Sequence, residues 1–209
     1  MNAGIQDAHN LSWKLAAALD GGDTERLLAS YDVERRSVTV EEVSRHADLL
    51  TRGFLQTPST VRRLLFWILR RMFALAPIRR ILLRRITMIN LGYTTSPLLR
   101  SGSRAVGQRL PNPTVRCPDG RQERLYDLAP HTAFLIYVGD RPGDQVPASL
   151  PVIRFGAHAH REPAGLLRRI TGGGGGWILV RPDLHIAWVG PDLAGLDEIL
   201  PEAIGGASR

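Results

Sequence analysis

Two residue types are almost missing from the 209 residues: there is one cysteine, Cys117, and one lysine, Lys14. A lone thiol cannot close an intramolecular disulfide or build a cysteine-rich metal site, and it suits a reducing compartment, so a cytoplasmic location is expected. With lysine absent elsewhere, the formal charge of +7 rests on arginine. No acidic residue occurs between Asp48 and Asp119, although that stretch holds the pairs Arg62-Arg63, Arg70-Arg71, Arg79-Arg80 and Arg84-Arg85. The last three pairs break the most apolar region, residues 64–89, well short of the ~20 uninterrupted apolar residues of a membrane span. The N-terminus has no basic region followed by an apolar run, so it does not read as a secretory signal. Hydrolase chemistry has no Gly-x-Ser-x-Gly turn to rest on. His158, His160 and His185, with Glu162 nearby, lack the helix-spaced His-Glu-x-x-His pattern, so no metal site is expected. The five glycines of residues 172–176 lack the Lys-Ser/Thr that follows a phosphate loop and read as a flexible surface loop.

What is present is organised around the first residues, Met1-Asn2-Ala3-Gly4-Ile5-Gln6-Asp7-Ala8-His9-Asn10-Leu11. Asn2 and Gly4 suit a turn, and apolar residues recur at Ile5, Ala8, Leu11, Leu15 and Leu19, so a helix opens here. Its first N–H groups lack intrahelical acceptors and make a site for an anion or an electron-rich oxygen. Gly21-Gly22 ends this helix. A second helix starts with Thr24 as N-cap, shows Leu27, Leu28 and Tyr31 on its apolar stripe, and continues toward Leu50. From Val61 to Leu75 apolar residues again recur at helical spacing until Pro77, and Ile78, Ile81, Leu82, Ile86 and Ile89 form a further stripe. Packing on a larger body accounts for these arginine-flanked helices better than nucleic-acid binding, with weak contact to an anionic surface as the remaining possibility.

Residues 92–113 are rich in Ser, Gly and Pro and read as a meandering linker, with a domain boundary near Ser103 that separates residues 1–103 from 104–209. Beyond it the pattern changes to strands at 132–138 and 151–155, a short helix at 166–170, and a hairpin of 177–180 with 185–189 around Arg181-Pro182-Asp183-Leu184. A closing helix is expected from Asp192 to about Ala203. The fold class is therefore α+β overall: an N-terminal all-α segment, then an α/β thioredoxin-like domain. Where a thioredoxin carries Cys-x-x-Cys, this chain has Gly139-Asp140-Arg141-Pro142, which excludes thiol exchange and leaves an interaction or dimer surface.

Four stretches carry a family resemblance. They are Met1–Leu15, with Asn2, Gly4, Gln6, Asp7, Asn10, Trp13 and Lys14 in place; Tyr31-x-x-Glu34-Arg35-Arg36; the connection through Tyr93, Pro97 and Gly107; and Leu179-Val180-Arg181-Pro182-Asp183-x-His185-x-Ala187-Trp188. Together they resemble the C-terminal portion of the FAD-dependent aromatic hydroxylases, the single-component flavoprotein monooxygenases related to phenol and p-hydroxybenzoate hydroxylases. The chain departs from that pattern at Ser37, where proline is frequent. The resemblance implies a thioredoxin-like C-terminal domain, FAD as cofactor, NAD(P)H as co-substrate, and hydroxylation of aromatic (phenol or polyketide-like) substrates. It places Met1, Asn2, Ala3 and Gly4 at the flavin ring edge and carries over no catalytic residue. The family's dinucleotide-binding Gly-x-Gly-x-x-Gly turn does not occur in this sequence. The expectation is thus a portion of such an enzyme, with Met1 an internal methionine of the motif. Such a portion would be inactive and free of FAD alone, and paired with a complementing flavoprotein half or a second copy. A non-catalytic thioredoxin-like binding or dimerisation protein is the alternative, and a basic peripheral membrane or nucleic-acid module a third reading.

Overall fold

The computed structural model describes residues 2–36, 51, 58–79, 92–93, 95–100, 102–140, 146–148, 150–157, 159–163, 165–196 and 200. Helix α1 spans Asn2–Leu19 and α2 spans Thr24–Arg36. Between them Gly21 takes φ 93°, and the amides of Gly21 and Gly22 return to the carbonyls of Ala18 and Ala17 at 3.2 and 2.9 Å, which closes the end of α1 as a glycine C-cap does. Asp23, not Thr24, caps α2: its carboxylate accepts the Arg26 amide at 3.1 Å, because a carboxylate one residue before the helix reaches the third free N–H and favours the positive end of the dipole. The expected continuation of α2 to Leu50 lies outside the described residues.

Helix α3, Ser59–Ala74, buries none of its side chains among the described residues, and Leu64, Phe66 and Trp67 stand more than half exposed. Pro77 sits inside a new helical turn at residues 76–79, with the Arg79 amide on the Leu75 carbonyl at 3.0 Å; proline fits a first turn, where its missing N–H has no partner to lose. The rest of the expected second stripe, from Ile81 onward, lies outside the described residues.

The second half is built on strands β3 (Phe134–Val138), β4 (Val152–Phe155), β5 (Gly176–Val180) and β6 (Ile186–Gly190), ordered β4-β3-β5-β6. β3 runs parallel to β4, and β5 is antiparallel to both β3 and β6, the arrangement of a thioredoxin-like sheet. Alternation along the strands divides the core. Phe134, Ile136, Ile178 and Val180 point to one face with Leu110, Val115, Leu125 and Leu167, whereas Leu135, Trp177, Leu179 and Ala187 point to the other with Leu150 and Leu196. Each buried Val, Leu, Ile or Phe among them stabilises by about 1.5–3 kcal/mol before chain entropy is counted. Helix α5, Leu166–Ile170, covers the first face. The closing helix does not begin at Asp192 as expected: residues 192–195 form a turn, in which the Asp192 carboxylate accepts the Ala194 amide at 3.0 Å, and helix is found at Leu196 and Leu200, with 197–199 and 201–209 outside the described residues.

Three features depart from the expectations, the first a hairpin that the sequence did not suggest, the others a linker and a glycine run that are more ordered than expected. A small hairpin of β1 (Thr114–Arg116) and β2 (Gln122–Arg124) leads into the one-turn helix α4 (Leu125–Leu128). Residues 107–110 are ordered against the sheet edge: Gly107 donates to the Ile186 carbonyl at 2.8 Å, and the Ile186 amide returns to Gln108 at 3.0 Å. In the glycine run, a Cβ on Gly175 would lie 2.5 Å from the Val138 carbonyl and one on Gly176 2.5 Å from the Gly190 carbonyl, so the last two glycines are required by close strand packing.

Candidate functional site

The expected cofactor residues fall in the first turn of α1. Asn2, Ala3 and Gly4 occupy it, and Met1 lies outside the described residues. The turn carries no acidic side chain, and its free amides sit at the positive end of an 18-residue helix, so it offers donors and positive potential to an electron-rich group. Gly4 is exposed, and a Cβ added there would meet nothing within 4 Å. A flat ring edge therefore has room to approach the backbone at Gly4, as the expected flavin contact would need.

Two turns further on, α1 enters a buried cluster that sequence reasoning missed. The apolar stripe expected to define the helix is not its buried face: Ile5, Leu15 and Leu19 are 65%, 44% and 89% exposed. The buried positions are Asn10, Trp13 and Lys14, at the i, i+3, i+4 spacing of one helix face. Polar contacts win here because their partners are ionic. Lys14 Nζ lies 2.9 Å from Glu34 Oε2 of α2. Arg181 donates to both oxygens of Glu34, at 2.7 and 3.1 Å, and to Asp183 Oδ2 at 2.6 Å. The Trp13 indole donates to Asp183 Oδ2 at 3.2 Å. The Asn10 amide nitrogen reaches Glu34, the Tyr93 hydroxyl and Asp183 at 2.8, 3.0 and 3.2 Å, and Ser96 donates to Glu34 Oε1 at 2.6 Å. The Arg181 guanidinium also lies between aromatic rings, 4.9 Å from the Trp13 centroid and 5.4 Å from that of Tyr93.

The hairpin turn presents these groups through an unusual backbone. Leu184 takes φ 65°, a left-handed conformation that costs a leucine energy, and its amide returns to the Arg181 carbonyl at 2.9 Å. Two acids and two bases, Glu34, Asp183, Lys14 and Arg181, are thus all but inaccessible and balance in charge. Burial would raise the Glu34 carboxyl, but Arg181 and then Lys14 bring it down to about 2. Asp183 is likewise held well below its ordinary range against burial, by Arg181 and His185. Burial is also the main reason that Lys14 falls to about 8, with Glu34 opposing, and that Tyr93 rises to about 12, helped by Asp183 and Glu34.

The four ionised side chains are closed to solvent, and their chemistry is that of a joint between α1, α2 and the sheet. The histidines weighed for a metal do not converge. His160 packs on Phe155 with its Nδ1 3.2 Å from the Arg154 carbonyl, His185 lies against Tyr93 in the joint, and His158 is outside the described residues. Among the described residues no group of three His, Cys, Asp or Glu is placed to hold a metal. A cavity of about 510 Å³ lies at the C-terminal ends of β3 and β4, lined in part by Gly139, Asp140, Phe155, His160 and Glu162, where a thioredoxin would carry its cysteines. Among the described residues no helix is long and apolar enough to cross a membrane. The signal for the joint was available as the polar spacing 10, 13, 14 beside the Glu34 and Asp183 motifs, but no local pattern says that they meet.

Residues 1–46 match the FAD binding domain family, and residues 103–207 match the family described as aromatic-ring hydroxylase, C-terminal. An uncharacterized aromatic compound monooxygenase of Bacillus subtilis is 30% identical over 90% of the chain and 36% of its own length. A rifampicin monooxygenase of Rhodococcus hoagii is 30% identical over 100% of the chain and 39% of its own length. The chain thus spans under two fifths of these curated relatives. Among solved structures, BexE, studied for oxidation during BE-7585A biosynthesis, superposes with a TM-score of 0.65 at 26% identity, covering 100% of the chain and 41% of that protein.

Proposed function

The chain belongs to the aromatic-ring hydroxylase family, and we propose that it supplies the flavin-facing helix and the C-terminal domain of an FAD- and NAD(P)H-dependent monooxygenase acting on aromatic substrates of the phenol or polyketide type. The observation that carries this reading is the open first turn of α1, unblocked at Gly4 and free of acidic side chains, at the head of a helix inside the FAD binding domain match. FAD, when bound, supplies the redox chemistry that draws on NAD(P)H and O₂. The residues of this chain would contribute donors: by the family resemblance the backbone N–H groups of Met1 and Asn2, with Ala3 and Gly4 in the same turn, would hold the O2/N1 edge of the ring and would stabilise negative charge there, as an oxyanion hole does. The substrate class is supported by relatives named for aromatic compounds and for rifampicin.

Residues 1–103 act in this reading as the helical part of the FAD module and 104–209 as a thioredoxin-like domain without thiol chemistry. The reaction is cytoplasmic, in keeping with the single buried Cys117. The chain by itself retains no FAD and is inactive, because it carries no dinucleotide-binding turn; a complementing flavoprotein half or a second copy completes the site. The arginines of α3 leave scope for weak contact with an anionic surface.

Visible absorbance and a flavin titration test this together. Purified chain is expected to be colourless, and FAD added to ¹⁵N-labelled chain at roughly millimolar concentration, the range of weak sites, is expected to shift the amides of the first turn of α1. Stoichiometric FAD on the purified chain would overturn the inactivity of the isolated chain, and the absence of shifts at residues 2–5 would overturn the site.

A further inference from the structure

Helix α1 is fastened by its polar face. Its three most deeply placed side chains end on ionised groups, the Trp13 indole on Asp183, Lys14 on Glu34, and the Asn10 amide on both carboxylates, while Ile5, Leu15 and Leu19 stay exposed. Asp183 and Arg181 belong to the hairpin turn between β5 and β6, about 170 residues along the chain from α1. An apolar interface tolerates sliding and small rotations, because dispersion and burial have little directionality. A buried hydrogen-bonded network does not, since each donor must face its acceptor and an unmet one is costly in a low-dielectric interior. Asn10 illustrates the constraint: its amide nitrogen must face the carboxylates, which leaves Oδ1 without a partner among the described residues. Such a joint permits one rotation and one register of α1.

We infer that the Arg181-Pro182-Asp183 turn of the C-terminal domain is a positioning device for the N-terminus of α1, setting where the first-turn N–H donors stand. The inference rests on the reading of that turn as a flavin site. Gly4 lies six residues before Asn10, about 9 Å along the helix axis, so a small rotation at the joint displaces the donors by a comparable fraction of that length. Precise placement of such donors by a rigid supporting shell is what electrostatic stabilisation of a cofactor requires. Arg181 and Asp183 act through Asn10, Trp13 and Lys14 and touch no cofactor themselves. The C-terminal domain, which lacks redox cysteines, acquires a task in this way: it grips the flavin helix from behind.

Pulsed electron spin resonance on the full chain measures the placement directly. Spin labels at Ile5→Cys, which is exposed, and at Arg121→Cys, on the exposed hairpin, in a Cys117→Ala background, report the distance from α1 to the sheet domain. The parent is expected to give one narrow distance distribution. Asp183→Asn and Arg181→Met are expected to widen it about twofold as α1 samples further orientations, while amide exchange in β3 and β5 stays unchanged; a purely structural role would instead raise exchange throughout. If either variant fails to fold, Trp13→Phe, which deletes one donor and leaves the Arg181–Glu34–Lys14 contacts in place, is expected to widen the distribution in the same sense. A broad distribution in the parent, or one as narrow in the folded variants as in the parent, overturns the inference. No flavin enters this measurement. Loss of placement in the variants, together with an FAD titration that leaves residues 2–5 unshifted, would therefore uphold the joint and sink the flavin reading.

Discussion

Glu34 is the residue on which the interior charges converge. Its two oxygens accept from Arg181 twice, from Lys14, from Asn10 and from Ser96, which saturates a carboxylate. The net worth of such a buried group against an apolar substitute is small, because desolvation offsets the attraction, but removing one partner strands the others. Glu34→Gln leaves Lys14 and Arg181 buried opposite a single acid, and is expected to destabilise the chain by about 3–5 kcal/mol in urea unfolding. Lys14→Met added to Glu34→Gln is expected to recover part of that loss, since the stranded ammonium is then gone. A Glu34→Gln change below about 1 kcal/mol, the scale of an exposed pair, would show that water reaches the cluster.

At the scale of elements, the unexpected one is the backbone of residues 105–110, which runs along β6 and hands Tyr93 to the joint. The Tyr93 amide donates to the Gly107 carbonyl and the Gly107 amide to Ile186, each at 2.8 Å. Gly107 has φ 80°, and a Cβ on it would come within 1.9 Å of the Tyr93 carbonyl. Gly107→Ala therefore has to break the approach of Tyr93, and is expected to lower stability by roughly 2–4 kcal/mol, above the cost of a positive φ alone, with loss of Tyr93 burial visible in its fluorescence. Retention of wild-type stability would mean that residues 92–93 dock by other means. This element was illegible in the sequence for a physical reason: Ser, Gly and Pro signal irregular backbone, and irregular backbone can still be pinned by hydrogen bonds to a sheet edge. The strands of the sheet were legible because apolar runs such as Phe134–Val138 and Trp177–Val180 are bounded by turn residues. The hairpin β1–β2 was not, since three-residue strands with mostly exposed side chains leave no period to read. For α1 the helix was legible and its buried face was not, because apolar periodicity assumes that burial follows hydrophobicity and an ionic partner reverses that. The site divides likewise: Asn2, Ala3 and Gly4 stand in a local motif, whereas the meeting of Glu34 with Arg181 depends on the tertiary fold.

The whole molecule is thus a sheet domain with an apolar interior, joined to a helical pair through ionised groups, and the two kinds of bond respond differently to pH. Glu34 falls from its ordinary value of 4.5 to about 2 in the folded chain, and Asp183 is depressed as well. For a depressed acid the folded state binds fewer protons than the unfolded one, so its stabilisation is complete above pH 4.5 and is lost as pH falls toward 2. Lys14, lowered from 10.5 to about 8, also binds fewer protons when folded, so its contribution makes stability rise as pH climbs from 8 to 10.5. Among the described residues the clusters on both faces of the sheet are built from side chains that carry no carboxylate and give no reason for loss in acid. Acidification is therefore expected to release α1 and α2 first. Between pH 4.5 and 2 the indole N–H resonance of Trp13, which depends on Asp183, should move to the position of a solvated indole while amides of β3 and β5 remain protected. Glu34→Gln should shift that transition, having already removed one of the two titrating acids. Simultaneous loss of the Trp13 signal and the sheet amides at a single pH would show instead that the joint and the sheet form one cooperative unit, in which the ionised cluster is as much a part of the core as the leucines behind it.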